Sequence, residues 1–396
     1  MKLFSYLTLS FLLMVPGILS AQNKPDVWTL QDCLDYALEY NIQLNKNRIT
    51  YLSGQEDVAQ AKAQLFPSLS ASVTQGYVNY PANGVDNNHS YTGSYNINAG
   101  WTVFDWNRRT NNLKQQKILS EVDELNVEQS EYDILLSLVQ TYMQVLYSFE
   151  AIRITENTVE ISEAERDRAR ELLAAGAISR VELAQLESQY ASDRYQLIVA
   201  QNNFENYKLQ LKQLLELDIE EDIVIALPEL TEEDVLMPLP EKNIVYNTSL
   251  AVIPNVRSSL LNLEVAELDI RKARAGYFPT ISLSASVGTG HSSGTNTAFT
   301  DLLWNRFNES IGLTVSVPIF NNRETKTAVN KAKLALTNSR LDLLNTQNQL
   351  LRTIEGIYLD ATSAQNQYLA ASERLSYVAE SYDLTQQQFF LGMKNT

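Results

Sequence analysis

One stretch of this chain is written twice. Ala61-Lys-Ala-Gln-Leu-Phe-Pro-Ser-Leu-Ser-Ala-Ser-Val73 and Ala273-Arg-Ala-Gly-Tyr-Phe-Pro-Thr-Ile-Ser-Leu-Ser-Ala285 lie 212 residues apart and agree at six of thirteen positions. In each copy a helical pattern stops at Phe-Pro, because proline lacks the N–H a helix needs and biases the preceding residue towards extended backbone. Apolar and small polar residues then alternate, which is the period of a strand with one apolar face. A chain of 396 residues has room for two or three unrelated domains. A helix running into a strand, made twice, points instead to one architecture built from two copies.

Residues Met1 to Ala21 hold one lysine, Lys2, an apolar run from Leu3 to Leu19 and the small pair Ser20-Ala21. This is the pattern of a cleaved secretory signal, with an uncleaved anchor as the alternative. No cysteine directly follows the run, so a lipid anchor has no attachment point there. Cys33 is the only cysteine and has no partner for an intrachain disulfide. After the signal no stretch of about 18 apolar residues occurs, so any membrane crossing must use strands. The net charge of −16 argues against nucleic acid as a partner, since phosphate binding needs clustered cations.

Four strands are expected. Leu69, Ala71, Val73 and Tyr77 alternate with Ser68, Ser70, Ser72, Thr74 and Gly76. A turn-rich stretch, Pro81 to Ser90, leads to Tyr91, Gly93, Tyr95, Ile97, Ala99, Trp101 and Val103, set against small polar residues, so the two strands form a hairpin. The second copy has Ile281, Leu283, Ala285 and Val287, a polar loop from about Gly290 to Asn308, and then Ile311, Leu313, Val315, Val317 and Ile319. Short strands with one apolar face and aromatic edges match an outer-membrane barrel. A soluble sandwich shows the same alternation. In lipid, however, open sheet edges leave backbone groups unpaired at several kcal/mol each. Four strands cannot close, so several chains must share one barrel. The expected lipid-facing residues are Leu69, Val73, Tyr77, Tyr95, Ile97, Trp101, Ile281, Leu283, Leu313 and Val315.

The remaining pattern is helical. One helix is expected from Thr29 to Gln64, with Thr29 as N-cap and Asp32 three residues on. No proline or glycine interrupts the chain from Asn107 to about Ala174, which gives a helix of about 100 Å at 1.5 Å per residue. Its apolar residues form two seams. One runs Val122, Leu125, Gln129, Tyr132, Leu136, Val139, Met143, Leu146; the other runs Leu135, Leu138, Tyr142, Val145, Phe149, Ile152. A two-stranded coil needs only one seam, so this helix needs neighbours on two sides, as in a closed α-barrel. After Gly176 the pattern returns through Leu183, Leu186 and Tyr190 to Leu214. In the second copy it resumes from Leu343 to Tyr382. Between the copies, residues 216–255 carry acidic clusters and Pro228, Pro238, Pro240 and Pro254, and read as an irregular segment with solvated charges.

The expected organisation is a signal over 1–21, a first repeat over 22–215, the acidic segment over 216–255 and a second, incomplete repeat over 256–396. The fold class is mainly α with membrane β: long helical hairpins forming an oligomeric α-barrel, plus four strands per chain in a shared barrel.

Several motifs together resemble the TolC family of outer-membrane efflux and secretion channels. They are Thr29-Leu-Gln-Asp-Cys-Leu-Asp-Tyr-Ala-Leu-Glu-Tyr-Asn41, the junctions Phe66-Pro67 and Phe278-Pro279, the strand exits Val103-Phe-Asp105 and Val317-Pro-Ile-Phe-Asn321, and the hairpin Gly176-Ala-Ile-Ser-Arg-Val-Glu-Leu183. The resemblance implies a homotrimer with twelve strands in the outer membrane of a Gram-negative bacterium. It also implies a periplasmic helical tunnel that docks onto a membrane-fusion adaptor and an inner-membrane pump. Family tips with a G-x-x-[ST] turn meet the adaptor, which singles out Gly176, Ala177, Ile178 and Ser179, and then Gly392, Met393 and Lys394. Gly392 stands 216 residues after Gly176. By that offset the second hairpin would continue about 37 residues past Thr396, so a fragment or a defective product is expected.

Enzymatic chemistry finds little support. His89 and His291 are the only histidines, both between strands, and no triad, metal-ligand or phosphate-loop spacing occurs. No cofactor is expected. A periplasmic coiled-coil adaptor or scaffold is the nearer alternative, since it too has long heptad hairpins; the four alternating strands separate the two.

Overall fold

The computed structural model describes residues 27–79, 89–218, 220–227, 236–293, 298–391 and Met393. The order is α1 (Leu30–Tyr40), α2 (Ile42–Ala63), β1 (Ser68–Asn79), β2 (His89–Phe104), α3 (Arg108–Ala174), α4 (Arg180–Leu214), α5 (Lys242–Val252), α6 (Pro254–Ala275), β3 (Thr280–Ser292), α7 (Phe299–Asn305), β4 (Asn308–Ser316) and α8 (Glu324–Phe390). Helices α3 and α8 have 67 residues each.

Three expectations are corrected. The single helix from Thr29 to Gln64 is two, because Asn41 adopts extended backbone (ψ 124°) and closes α1 through its N–H to the Ala37 carbonyl. Asparagine competes for backbone partners and so accepts such breaks. The stretch 216–255 is not irregular throughout: Lys242 to Val252, free of proline and glycine, forms α5. The loop after β3 likewise contains a helix, α7, and β3 itself continues to Ser292.

Two compact units are present. One combines α1, α4, the part of α3 from Leu135 onward and the segment after α4. Its core holds Trp28, Cys33, Ala37, Leu138, Tyr142, Val145, Leu211, Leu215 and Ile223, all buried. Trp28 exchanges backbone hydrogen bonds with the strap after α4: its N–H donates to the Val224 carbonyl at 2.8 Å and its carbonyl accepts from Ala226 N–H at 2.9 Å. The Tyr142 hydroxyl donates to the Ala226 carbonyl at 2.7 Å. Burial raises the Tyr142 hydroxyl above its ordinary pKa, with smaller contributions from Cys33 and Asp32, and pushes the Cys33 thiol up to about 12. Cys33 is therefore inert packing.

The other unit holds the sheet, α2, the part of α3 up to Ile134, α5, α6, α7 and α8. Four of its helices, α2, α3, α6 and α8, form a row. Arg48 of α2 pairs with Glu131 of α3 at 3.1 Å, and Lys272 of α6 donates to Asn112 of α3 at 3.0 Å and also reaches Gln115. Ser259 of α6 meets Thr346 of α8 at 3.3 Å. The sheet is antiparallel in the order β1-β2-β3-β4. Row and sheet thus start together at α2 and β1 and finish together at β4 and α8.

Of the two seams on α3, the chain itself uses the second, with Leu138, Tyr142 and Val145 buried. The first is buried at Val122 and Leu125 and then emerges, leaving Tyr132, Leu136 and Met143 exposed. Exposed Tyr147, Ile154 and Ile161 continue this stripe at spacings of four and seven.

Candidate membrane sheet and hairpin tips

Register decides which strand residues share a face, since directly opposed residues of an antiparallel pair point the same way. Leu69 faces Ala99, which faces Ala285, which faces Ile311. Val73 faces Tyr95, Ile97 faces Val287, and Trp101, Leu283 and Leu313 form one row. Tyr77 faces Tyr91 and Ile281 faces Val315. All ten residues expected to meet lipid therefore lie on one face. Val103 was expected to join them, but a bulge between Thr102 and Phe104 puts Phe104 opposite Ile281 instead. The other face is small and polar, with rows such as Ser68, Gly100, Ser284, Gly312 and Ser70, Asn98, Ser286, Ser310.

The apolar face carries one aromatic knot. His291 is buried over Gly93, where an added Cβ would collide with the imidazole and force the ring to move. Phe299 of α7 meets this ring edge-on at 4.9 Å, and the Thr289 hydroxyl donates to the Leu303 carbonyl, which fastens α7 to β3.

At the opposite strand ends the chain leaves the sheet through two consecutive left-handed residues, Trp106 and Asn107 (φ 52° and 63°) before α3, and Asn322 and Arg323 (φ 48° and 67°) before α8. Such backbone costs about 1–2 kcal/mol per non-glycine residue, and side chains hold it in place. Asp105 accepts from Arg109 N–H at 3.2 Å and from Arg109 Nε at 2.9 Å. Arg109 also donates to the Gln64 carbonyl at 2.9 Å and to the Thr102 carbonyl. At the second exit Asn321 donates to Thr325, whose hydroxyl donates to the Gly276 carbonyl at 3.2 Å. Trp106 stacks on Phe278 with centroids 4.0 Å apart. Sequence reading missed these clamps. Arg109 and Thr325 do the same work with different chemistry, so no shared residue type marks them; the i, i+4 spacing of Asp105 and Arg109 is the one signal that could have found the first.

The first hairpin tip is built from caps. Gly176 has φ 73°, Ala177 N–H donates to the Leu172 carbonyl at 2.8 Å and Gly176 N–H to the Leu173 carbonyl at 3.0 Å, which is a Schellman closure of α3. Ser179 then caps α4. Its hydroxyl accepts from Glu182 N–H at 3.2 Å, and Glu182 accepts from Ser179 N–H at 2.9 Å. Gly176, Ala177 and Ser179 are exposed and Ile178 is half-buried. Behind the tip, the Arg166 guanidinium lies 4.1 Å from the Tyr190 ring centroid. Asp167, above all, and then Tyr190 and Glu163 hold its pKa well above the usual arginine value. Arg170 pairs with Glu187 at 2.8 Å. At the end of α8, where a second tip is expected from the sequence, Met393 N–H donates to the Gln388 carbonyl at 2.9 Å, the same five-residue closure that Ala177 makes. Met393 is exposed, while Gly392 and Lys394 lie outside the described residues.

The family described as outer membrane efflux protein matches residues 33–216 and 245–396. The chain belongs to it. Among similar proteins, toxin and drug export protein A of Aggregatibacter actinomycetemcomitans is 23% identical over 366 residues, covering 89% of this chain and 76% of that one. The solved structure of CusC, described in terms of transmembrane channel formation, superposes with a TM-score of 0.78 at 16% identity over 92% of this chain and 83% of its own. The Campylobacter jejuni CmeC outer membrane channel superposes with a TM-score of 0.76 at 21% identity, over 92% and 77%. As a family member the chain is an outer-membrane channel component of a Gram-negative efflux or type I secretion system, with a periplasmic helical extension.

Proposed function

We propose that three copies of the chain close one pore and that the pore does no chemistry of its own. The observation carrying this reading is that sheet and helix row are open at the same two ends. β1, with one free edge, follows α2 in the chain, and β4, with the other, leads into α8. Joining β4 and α8 of one copy to β1 and α2 of the next pairs both layers in one step. Four strands from each of three copies give twelve. Two copies would give eight, a barrel whose interior side chains fill, whereas a passive conduit needs a bore. The serines, glycines and asparagines of the polar face suit that lining. The apolar face, including Leu69, Val73, Tyr95, Trp101 and Leu313, then meets lipid.

In this reading the exposed stripe from Leu136 to Ile161 packs on neighbouring copies, and the tips at Gly176–Ser179 and around Met393 meet a periplasmic adaptor that couples the channel to an inner-membrane pump. Native mass spectrometry of the detergent-extracted chain should give three copies per particle. A stable monomer or dimer that still conducts would remove the proposal. Ala177 is exposed and contributes only its backbone to the cap, so Ala177→Trp should weaken adaptor cross-linking while trimers persist. Unchanged cross-linking would take the first tip out of the contact.

A further inference from the structure

Charge is not spread evenly over this acidic protein. The four chain segments that adjoin the helix-bearing ends of the strands, ten residues each at 58–67, 105–114, 270–279 and 317–326, hold nine lysines and arginines and two acids, Asp105 and Glu324. At the other strand ends, residues 80–88 and 293–307 hold Asp86, Asp301 and Arg306. The cations thus gather at one end of the sheet only, in a chain whose net charge is −16.

Two of the nine are spoken for, Arg109 by Asp105 and Lys272 by Asp269. The other seven, Lys62, Arg108, Lys114, Arg271, Arg274, Arg323 and Lys326, are exposed and make no ion pair among the described residues. At 1.5 Å per residue they sit within about 15 Å of the strand ends along their helices. Exposed aromatic side chains, Phe66, Trp106, Tyr277, Phe278 and Phe320, mark the same level. Aromatic rings followed by unpaired cations are the order of groups that an interface of acyl chain, headgroup and water selects.

We propose that this basic collar binds the phosphates of anionic phospholipids in the periplasm-facing leaflet and fixes the depth of the sheet in the membrane. The proposal rests on the outer-membrane placement of the sheet. Each cation near an anionic surface adds attraction that fades over a screening length of about 8–10 Å, so several acting together give a steep dependence on lipid charge and salt. The rival occupant is an anionic solute. Arg108, Arg109 and Lys272 also line a cavity of about 470 Å³ with Thr102, Thr280 and Ser282 of the polar face, so a cationic neck inside the pore would use some of the same residues.

The test is flotation of the chain with phosphatidylcholine vesicles and with vesicles containing about one-third phosphatidylglycerol, at low and high salt. The wild-type chain should insert into both and prefer the anionic vesicles by at least about tenfold at low salt, with the preference collapsing at high salt. Combining Arg108→Gln, Arg271→Gln, Arg274→Gln, Arg323→Gln and Lys326→Gln should abolish the preference and leave insertion into neutral vesicles intact. Lysine at the four arginine positions should keep it. Equal partition of the wild-type chain, or a preference that survives the glutamines, would overturn the collar. So would a glutamine variant that changes only the ion selectivity of the reconstituted pore, since that result assigns the cations to the solute path. Failure of the wild-type chain to insert anywhere would remove the membrane sheet and the collar with it.

Discussion

Arg109 and Thr325 show how much a single side chain does where helix meets sheet. Arg109 holds a carboxylate that is 12% exposed and two backbone carbonyls, so Arg109→Ala leaves the Asp105 charge half-buried without its partner. A loss of about 3 kcal/mol is expected. Thr325 is buried, and Thr325→Val strips the Gly276 carbonyl and Asn321 of their partner at similar volume, for about 1–3 kcal/mol. Denaturant unfolding of each variant checks both, and a change under 0.5 kcal/mol would show that the clamps are ornamental. Asp32 makes a pH-dependent contribution. The Thr29 hydroxyl, followed by the Thr29 N–H, holds its pKa below the ordinary carboxylate value. A depressed folded-state pKa means the contribution is complete above the unfolded value near 3.9 and is lost as pH falls through the folded one. Asp32→Asn should therefore lower the melting temperature at pH 7 and make no difference near pH 2.

Among the elements, the first tip separates backbone from contact. Nothing lies within 4 Å of a Cβ added to Gly176, so its cost is that of the left-handed backbone alone. Gly176→Val should destabilise the α3–α4 hairpin by about 1–2 kcal/mol, and Gly176→Asn by much less, because asparagine tolerates that region. Local hydrogen exchange at residues 172–183 reads the difference. Strands and long helices were legible because their signals are periodic over many residues. The break at Asn41 was not, since one residue's choice of ψ leaves the apolar spacing on either side unchanged. The helix Lys242–Val252 was hidden by the prolines that bracket it, which argue locally for loop but act only at its ends. The bulge at Val103 escaped because alternation fixes parity only until one extra residue resets it. Two seams could be read on α3. Which of them the chain covers by itself depends on partners remote in sequence.

For the molecule as a whole, the two faces of the sheet make opposite forecasts. Leu313→Arg, on the apolar face near the middle of β4, should cost about 2–4 kcal/mol if that face meets lipid, and should lower the amount of protein recovered in the outer membrane. Ser286→Arg, on the small polar face, should assemble normally and reduce single-channel conductance. The reverse pattern in bilayer recordings and membrane fractions would exchange inside for outside. Sequence alternation identified the two faces, and cross-strand register shows that the apolar residues of all four strands share one of them.

The coincident open ends of sheet and helix row also dictate an order of events in biogenesis. A solitary copy entering lipid would drag two bare strand edges with it, each a line of unpaired amides costing several kcal/mol apiece. In the proposed assembly, copies would therefore meet in the periplasm, or at the moment of insertion, and until then each would carry its apolar sheet face through water.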